Sequence, residues 1–185
     1  MNGSEVLIRP LGLSGDLGWV VMAHGELYAR EFGWDTSFEA LVARIVADYG
    51  NAHDPTREAA WVAEAAGSRL GCVFCVSGDE ETAQLRILLV DPSARDHGVG
   101  RRLVDECIAF ARGCGYRRMR LWTNHPLVAA RAIYLSRGFV LVEEQPHHSF
   151  GVDLIGQVYE LDLHDGAEGP DAQADRAWVE DSAHR

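Results

Sequence analysis

The chain has 185 residues, of which 47% are hydrophobic and 24% charged, enough to bury one good core and short enough to argue for a single domain. Its net charge is −11 and all 17 basic residues are arginine, a balance that disfavours non-specific binding to nucleic acid and, if anything, attracts cationic small molecules. No segment approaches the roughly 18 consecutive apolar residues of a membrane-spanning helix, and the opening MNGSEVLIRP lacks the basic and apolar regions of a signal peptide, so a cytoplasmic protein is the expectation.

In chain order, Val6 to Leu11 reads as a short strand closed by Gly12. From about Ser14 to Phe32 the positions Leu17, Val20, Val21, His24, Leu27, Tyr28 and Phe32 recur at helical spacing, and Gly33 ends that helix. Thr36 to Glu39 forms a capping-box signature, after which Phe38, Leu41, Val42, Ile45 and Val46 line one face of a second helix stopped by Gly50. Glu58 to Ala66 and Arg69 to Val76, separated by Gly67 and Ser68, predict a hairpin. Within it Cys72 and Cys75 look like C-x-x-C, but the strand period of 2 puts them on opposite faces. With Cys107 and Cys114 on or just after a later helix, the four cysteines read as free thiols rather than a metal site or a disulfide framework.

The stretch from Leu85 to Ala111, LRILLVDPSARDHGVGRRLVDECIAFA, reads strand, turn, glycine loop, amphipathic helix. Arg95, Gly98 and Gly100 space the loop as R-x-x-G-x-G. The two glycines lack the Cβ atoms that keep a bulky oxyanion from the backbone, and the free N–H groups and dipole of the helix start favour a phosphate. A dinucleotide-binding fingerprint is excluded because Leu103 stands where its third glycine belongs, and a Walker loop because the chain has no lysine. Beyond it, Arg118 to Thr123 predicts a strand, Pro126 to Ser136 a helix ended by Gly138, and Phe139 to Glu143 and Gln157 to Leu163 two more strands. The tail from Asp165 to Arg185 carries six acids and two arginines. It reads as flexible, with Trp178 either a stray aromatic or a docking residue.

The glycine loop with its flanks resembles the pyrophosphate loop of the GNAT family, the Gcn5-related N-acetyltransferases that bind acetyl-coenzyme A, and the element order resembles the family topology over about residues 4 to 164. More narrowly, ALVARIVADYG, REAAWVAE, LWT, AARAIYLSRGF and HHSFGVDLIGQVYELDL resemble the acetyltransferase half of bacterial proteins that fuse a MarR-type regulator to a GNAT domain. No winged helix precedes them here, so the resemblance implies the enzyme and not the regulator. It implies an α/β (α+β) GNAT fold, a mixed, mostly antiparallel central sheet of about seven strands with about four helices, over residues 1–164, with 165–185 as an acidic tail.

By motif position the resemblance implies that Leu88 and Val90 pair their backbone with the pantetheine arm, the N–H of Val90 helping to polarise the acetyl oxygen. Arg95, Asp96, His97, Gly98, Val99, Gly100 and Arg101 would wrap the pyrophosphate, Asp96 turning its carboxylate outward. Asn124 stands near the position of a family asparagine and would take over a pantetheine contact. Tyr134 matches the tyrosine that many GNAT enzymes use as general acid toward the departing thiolate, the favoured role; the alternative is the aromatic that packs its helix onto the sheet.

Many relatives carry an acid at the start of the central strand to accept the amine proton, but here that strand reads Leu85, Arg86, Ile87. The candidates for a base are then Glu58, Glu64, Glu31 and His24, of which Glu58 is favoured. Arg86 on an apolar strand must be paired or face a polar cleft, so it either holds a substrate carboxylate or bridges to Glu64. His24, Tyr28, Arg86, Trp122 and His148 are the expected acceptor-side residues, in segments that also hold Trp34, His147 and Phe150. The reading is an acetyl-CoA-dependent transferase acting on a primary amine of a small molecule by direct attack in a ternary complex, without a metal, a nucleic-acid partner or a membrane. A protein or peptide N-acetyltransferase and a non-catalytic acyl-CoA-binding sensor are the alternatives, and a homodimer stays open.

Overall fold

The computed structural model describes residues 5–164; the acidic tail and Trp178 lie outside the described residues. Seven strands and four α-helices follow in the order β1 (Leu7–Pro10), α1 (Asp16–Phe32), α2 (Thr36–Ala52), β2 (Ala59–Ala65), β3 (Ser68–Ser77), β4 (Thr82–Val90), α3 (Val99–Gly113), β5 (Arg118–Asn124), α4 (Val128–Ser136), β6 (Val140–Ser149) and β7 (Val152–Asp162). They form one sheet in the order β1-β2-β3-β4-β5-β7-β6. Only β4 and β5 run parallel, with α3 as the crossover between them. Among the described residues no helix is long and apolar enough to cross a membrane.

The sheet has a core on each face. Val20, Leu27, Phe38, Val42 and Val46 of α1 and α2 pack with Cys72, Phe74 and Leu89 on one side. Leu103, Val104, Cys107 and Ile108 of α3, with Tyr134 of α4, pack with Val73, Cys75, Ala83 and Leu85 on the other. Cys72 and Cys75 therefore do face opposite ways, each as a buried thiol.

The N-terminus of α1 is anchored electrostatically. The buried Asp16 carboxylate accepts from Arg9 at 2.8 and 3.0 Å, from Arg69 at 2.7 Å, and from the N–H groups of Gly12 and Leu13 at 3.0 and 2.9 Å. Those donors, Arg9 first, hold its carboxyl well below the usual carboxylate range. Glu64 completes the cluster at 2.9 Å from Arg9, which removes it as a partner for Arg86.

Three local expectations shift. The cap of α2 is Asp35, whose side chain accepts from the N–H of Ser37 at 2.9 Å, one residue ahead of the expected Thr36. The β2–β3 turn is Ala66–Gly67 rather than Gly67–Ser68; both residues have positive φ, the geometry whose twist matches the strands. The largest difference is the C-terminal hairpin, ten and eleven residues per strand where two short strands were expected. Its turn, Phe150–Gly151, also has two positive φ values. Glu143 to His147 hide β6 in the sequence because this edge strand has no buried face to impose alternation, and an edge tolerates Pro146.

Candidate active site

After β4, Asp91 caps a single 3₁₀ turn, Pro92–Ala94, and the chain enters the glycine loop. Gly98 caps α3 with φ of 73° and no side chain bonds to the helix start, so the first-turn amides of Val99, Gly100 and Arg101 are left for an external acceptor. Asp96, at φ of 65°, is exposed. Gly100 has a different reason to be glycine: a Cβ there would lie 2.8 Å from Ile133 Cδ1 and 3.2 Å from Val90 Cγ2, so α3 could not approach β4 and α4 as closely. The loop opens on a cavity of about 540 Å³ lined by Arg95, Asp96, Gly98, Val99, Gly100 and Arg101, with Leu88 and Val90 from β4. His97 is exposed and does not line it. Arg95 crosses its mouth to Glu31 of α1 at 2.8 Å, which engages Glu31 as a counter-ion rather than as a free base.

The strand that leads into this loop is bent. Cys72 and Phe74 of β3 pair with Leu89 and Arg86 of β4, so β4 carries one residue more than its partner, a β-bulge. Ile87 sits in the bulge at φ of 43°, strained for a β-branched side chain. On the other edge, β4 pairs with β5 only as far as Leu85 with Leu121. Beyond that point the parallel strands part, and the wedge between them opens toward α1, α2 and α4.

A second cavity of about 500 Å³ fills the other side of the wedge. It shares Tyr28, Leu88, Leu127 and Ala130 with the first, so the two are neighbouring halves of one cleft. Tyr134 lines it, with no hydrogen-bond partner for its hydroxyl among the described residues; burial pushes its phenol above the ordinary value. His24 lines it too, its Nδ1 2.8 Å from the carbonyl of Val20 and its buried Nε2 without a partner. Burial lowers the His24 pKa to about 4, so the ring is neutral at pH 7. Asn124 is buried on this wall and bonds at 2.9 Å to Nε2 of His147, whose ring packs beside Trp122. Aromatic and aliphatic side chains of α1, α2 and the segment between them (Trp34, Phe38, Leu41, Val42, Ile45) close the far side.

Arg86 and Arg120 carry the charge of this cavity, and among the described residues no carboxylate lines it. Arg120 is shared with Glu143 and Glu160 at 3.7 and 3.4 Å, whereas among the described residues Arg86 bonds only to Gln84 Oε1 at 3.3 Å.

Three predicted residues are not brought to the cleft: the exposed His97, Glu58 and His148. Glu58 ends its loop instead: its carboxylate accepts from the N–H groups of Ser77 at 2.8 Å and Asp54 at 3.1 Å, and it lines neither half. His148 is exposed and bonded to Asp153 at 2.7 Å. Strand alternation puts His147, not His148, on the side that meets Asn124; that parity was readable only once β6 was known to extend so far. Leu88, Val90, Arg95, Asp96, Gly98, Val99, Gly100, Arg101, Asn124, Tyr134, His24, Tyr28, Arg86 and Trp122 are all brought to it. Among the described residues, no group of three His, Cys, Asp or Glu side chains could hold a metal ion.

Comparison with known proteins agrees with this geometry. The acetyltransferase (GNAT) family matches over residues 22–139. An uncharacterised N-acetyltransferase of Schizosaccharomyces pombe is 31% identical over 152 residues, covering 80% of this chain and 91% of that protein. Among solved structures, the yncA protein of Salmonella typhimurium with its cofactor acetyl-CoA superposes with a TM-score of 0.67 at 20% identity, covering 86% of this chain and 95% of the other. An acetyltransferase of the GNAT family from Staphylococcus aureus Mu50 gives 0.70 at 19% identity, covering 86% and 99%. By the family match over most of its length, with a fold to suit, this chain belongs to the GNAT family and is an acetyltransferase.

Proposed function

We propose that the protein transfers acetyl from acetyl-CoA to the primary amine of a small molecule by direct attack within a ternary complex. The observation that carries this reading is the joined pair of half-cavities: one ends on the uncapped amides of α3, the other is walled by aromatic side chains, and they meet beside the bulge of β4. Acetyl-CoA supplies an activated acyl group as a thioester. The amides of Val99, Gly100 and Arg101 and the guanidinium of Arg101 hold its pyrophosphate. Leu88 and Val90 offer backbone to the pantetheine arm where β4 has parted from β5, and the N–H of Val90 polarises the acetyl oxygen.

The chemistry then needs a deprotonated amine and a protonated leaving group. Tyr134, protonated at every working pH, donates from its hydroxyl to the thiolate. Among the described residues no acid lines the acceptor half to take the amine proton. Instead, Arg86, which has no ion-pair partner among the described residues, disfavours an ammonium there, so the amine gives its proton to solvent and enters as the free base. Asn124, fixed by His147, orients the acceptor side of the pantetheine.

The test is release of free CoA from acetyl-CoA by the purified full chain against amino acids, polyamines, aryl-alkyl amines, aminoglycosides and basic peptides. Turnover with small amines supports the proposal. Turnover with peptides alone moves the substrate class, binding without turnover makes the protein a sensor, and absence of acetyl-CoA binding overturns the reading.

A further inference from the structure

Half-buried arginines show what this protein does with a guanidinium withdrawn from water. Arg9 and Arg69 meet Asp16, and Arg137 meets Asp105. Arg57 donates to the hydroxyl of Tyr116 and the carbonyl of Glu80 at 3.2 and 2.8 Å, and Arg131 donates to the carbonyl of His125 and to Gln157 at 3.1 and 3.3 Å. Arg86 alone among these is left with one long bond, to Gln84 at 3.3 Å. Of its five N–H donors, the others have no acceptor among the described residues. The acid that acts on it, Asp48 of α2, does so from beyond ion-pair distance, and Asp48 does not line the cavity. None of its unbonded nitrogens is sealed off, so a partly desolvated guanidinium presents free donors to an anion that enters the cavity. Burial indeed disfavours the charge here.

The position of Arg86 says which anion. It is the residue immediately before the bulge at Ile87 and lines the acceptor half of the cleft, so an oxyanion on it lies within that half. The far wall of the same half-cavity is apolar, with Trp34 and Phe38 edge to face at 4.7 Å between ring centroids and Leu41, Val42 and Ile45 beside them.

Resting on the acetyl-transfer reading above, we infer that the acceptor is an amino-acid-like molecule: an amine with a carboxylate on the neighbouring carbon, read by Arg86, and an apolar side chain seated against Trp34, Phe38 and Ile45. The charge-assisted, bidentate fit of guanidinium to carboxylate makes Arg86 the residue that chooses acids over neutral amines. This runs against the whole-chain charge, which by itself favours cationic acceptors. The local field of a cavity that no acid lines among the described residues prevails at contact distance because solvent and salt screen the distant surface charges.

The experiment compares kcat/KM, counted per unprotonated amine because the amides are the weaker bases, for phenylalanine, leucine and methionine with that for their carboxamides, which keep the shape but lack the charge. With the full chain and saturating acetyl-CoA, acids should exceed amides by about 30-fold, the range of a charged hydrogen-bonded pair. In Arg86→Gln that ratio should fall to about 1 to 3, and in Arg86→Glu it should invert. Amides that work as well as acids in the unmodified protein, or a ratio that survives Arg86→Gln, overturn the inference. The first comparison needs no variant, so a substitution that fails to fold leaves it standing. Calorimetric binding of N-acetylphenylalanine, with and without CoA, reads the same anion site in the absence of turnover. Binding weakened at least tenfold by Arg86→Gln supports the inference, and no binding to the unmodified protein overturns it. Failure of acetyl-CoA itself to bind would instead overturn the acetyl-transfer reading.

Discussion

Tyr134 and His24 face the same half-cavity, and burial acts on them in opposite senses. For Tyr134 it raises the phenol, keeping the proton available. Tyr134→Phe should lower kcat by about 100-fold, the low end of general acid catalysis, with little change in the Kd of acetyl-CoA. Steady-state kinetics beside direct binding check this; an unchanged kcat assigns Tyr134 to packing alone. For His24 burial lowers the pKa to about 4 against about 6.5 in the unfolded chain. Between those values the unfolded state binds the extra proton, so the stability held by the neutral ring is present above pH 6.5 and is lost as pH falls toward 4. The loss by pH 4 is about 3 kcal/mol. Urea unfolding at pH 7 and pH 5 should therefore show a drop that His24→Phe reduces.

At the scale of elements, the two loop glycines answer to different constraints. Gly98 needs a positive φ and has open space around it, whereas Gly100 needs the absence of a Cβ. Gly98→Ala should cost about 1 kcal/mol from the left-handed backbone alone. Gly100→Ala should cost about 1 to 2 kcal/mol, since the Ile133 methyl it meets first ends a side chain that can shift but Val90 sits on the strand. Gly100→Ala should also weaken acetyl-CoA binding more than Gly98→Ala does, because it pushes the α3 amides away from β4. Thermal unfolding and calorimetry on both variants separate the two effects. The bulge at Ile87 belongs to the same scale: an extra residue in one strand ends the pairing pattern and turns the β4 edge toward the cleft.

At the scale of the whole molecule, the Asp16 cluster ties α1, which walls both halves of the cleft, to β1 and β3. Asp16→Asn leaves Arg9 and Arg69 without their buried counter-charge and should cost about 3 kcal/mol, roughly 10 °C in Tm for a domain of this size. A second consequence concerns pH. With no carboxylate lining the acceptor half among the described residues, kcat/KM should track the free-base fraction of the amine, rising about tenfold per pH unit below the amine pKa near 10. A plateau with an inflection near pH 6 to 7 would instead reveal a titrating base within the protein.

The glycine loop, the strand before it and the helix after it were legible because each is specified by residues close in sequence: period, cap and backbone permissiveness are local properties. The same holds for Cys72 and Cys75, whose opposite faces follow from strand period alone. What the sequence could not decide is how distant groups satisfy one another. Glu58, the favoured candidate for a base, and Glu64 and Glu31 beside it stayed open until the fold assigned Glu58 to two loop amides, Glu64 to Arg9 and Glu31 to Arg95. Arg86 was balanced between Glu64 and a substrate until Arg9 took Glu64. His147 replaced His148 once the hairpin ran to Ser149, an extension invisible in an edge strand exposed on both faces. Local sequence determines the element and its terminus, because those energies arise within a few residues. Which charge meets which, and therefore which is left for a substrate, is a property of contacts between residues many positions apart, and only the tertiary structure decides it.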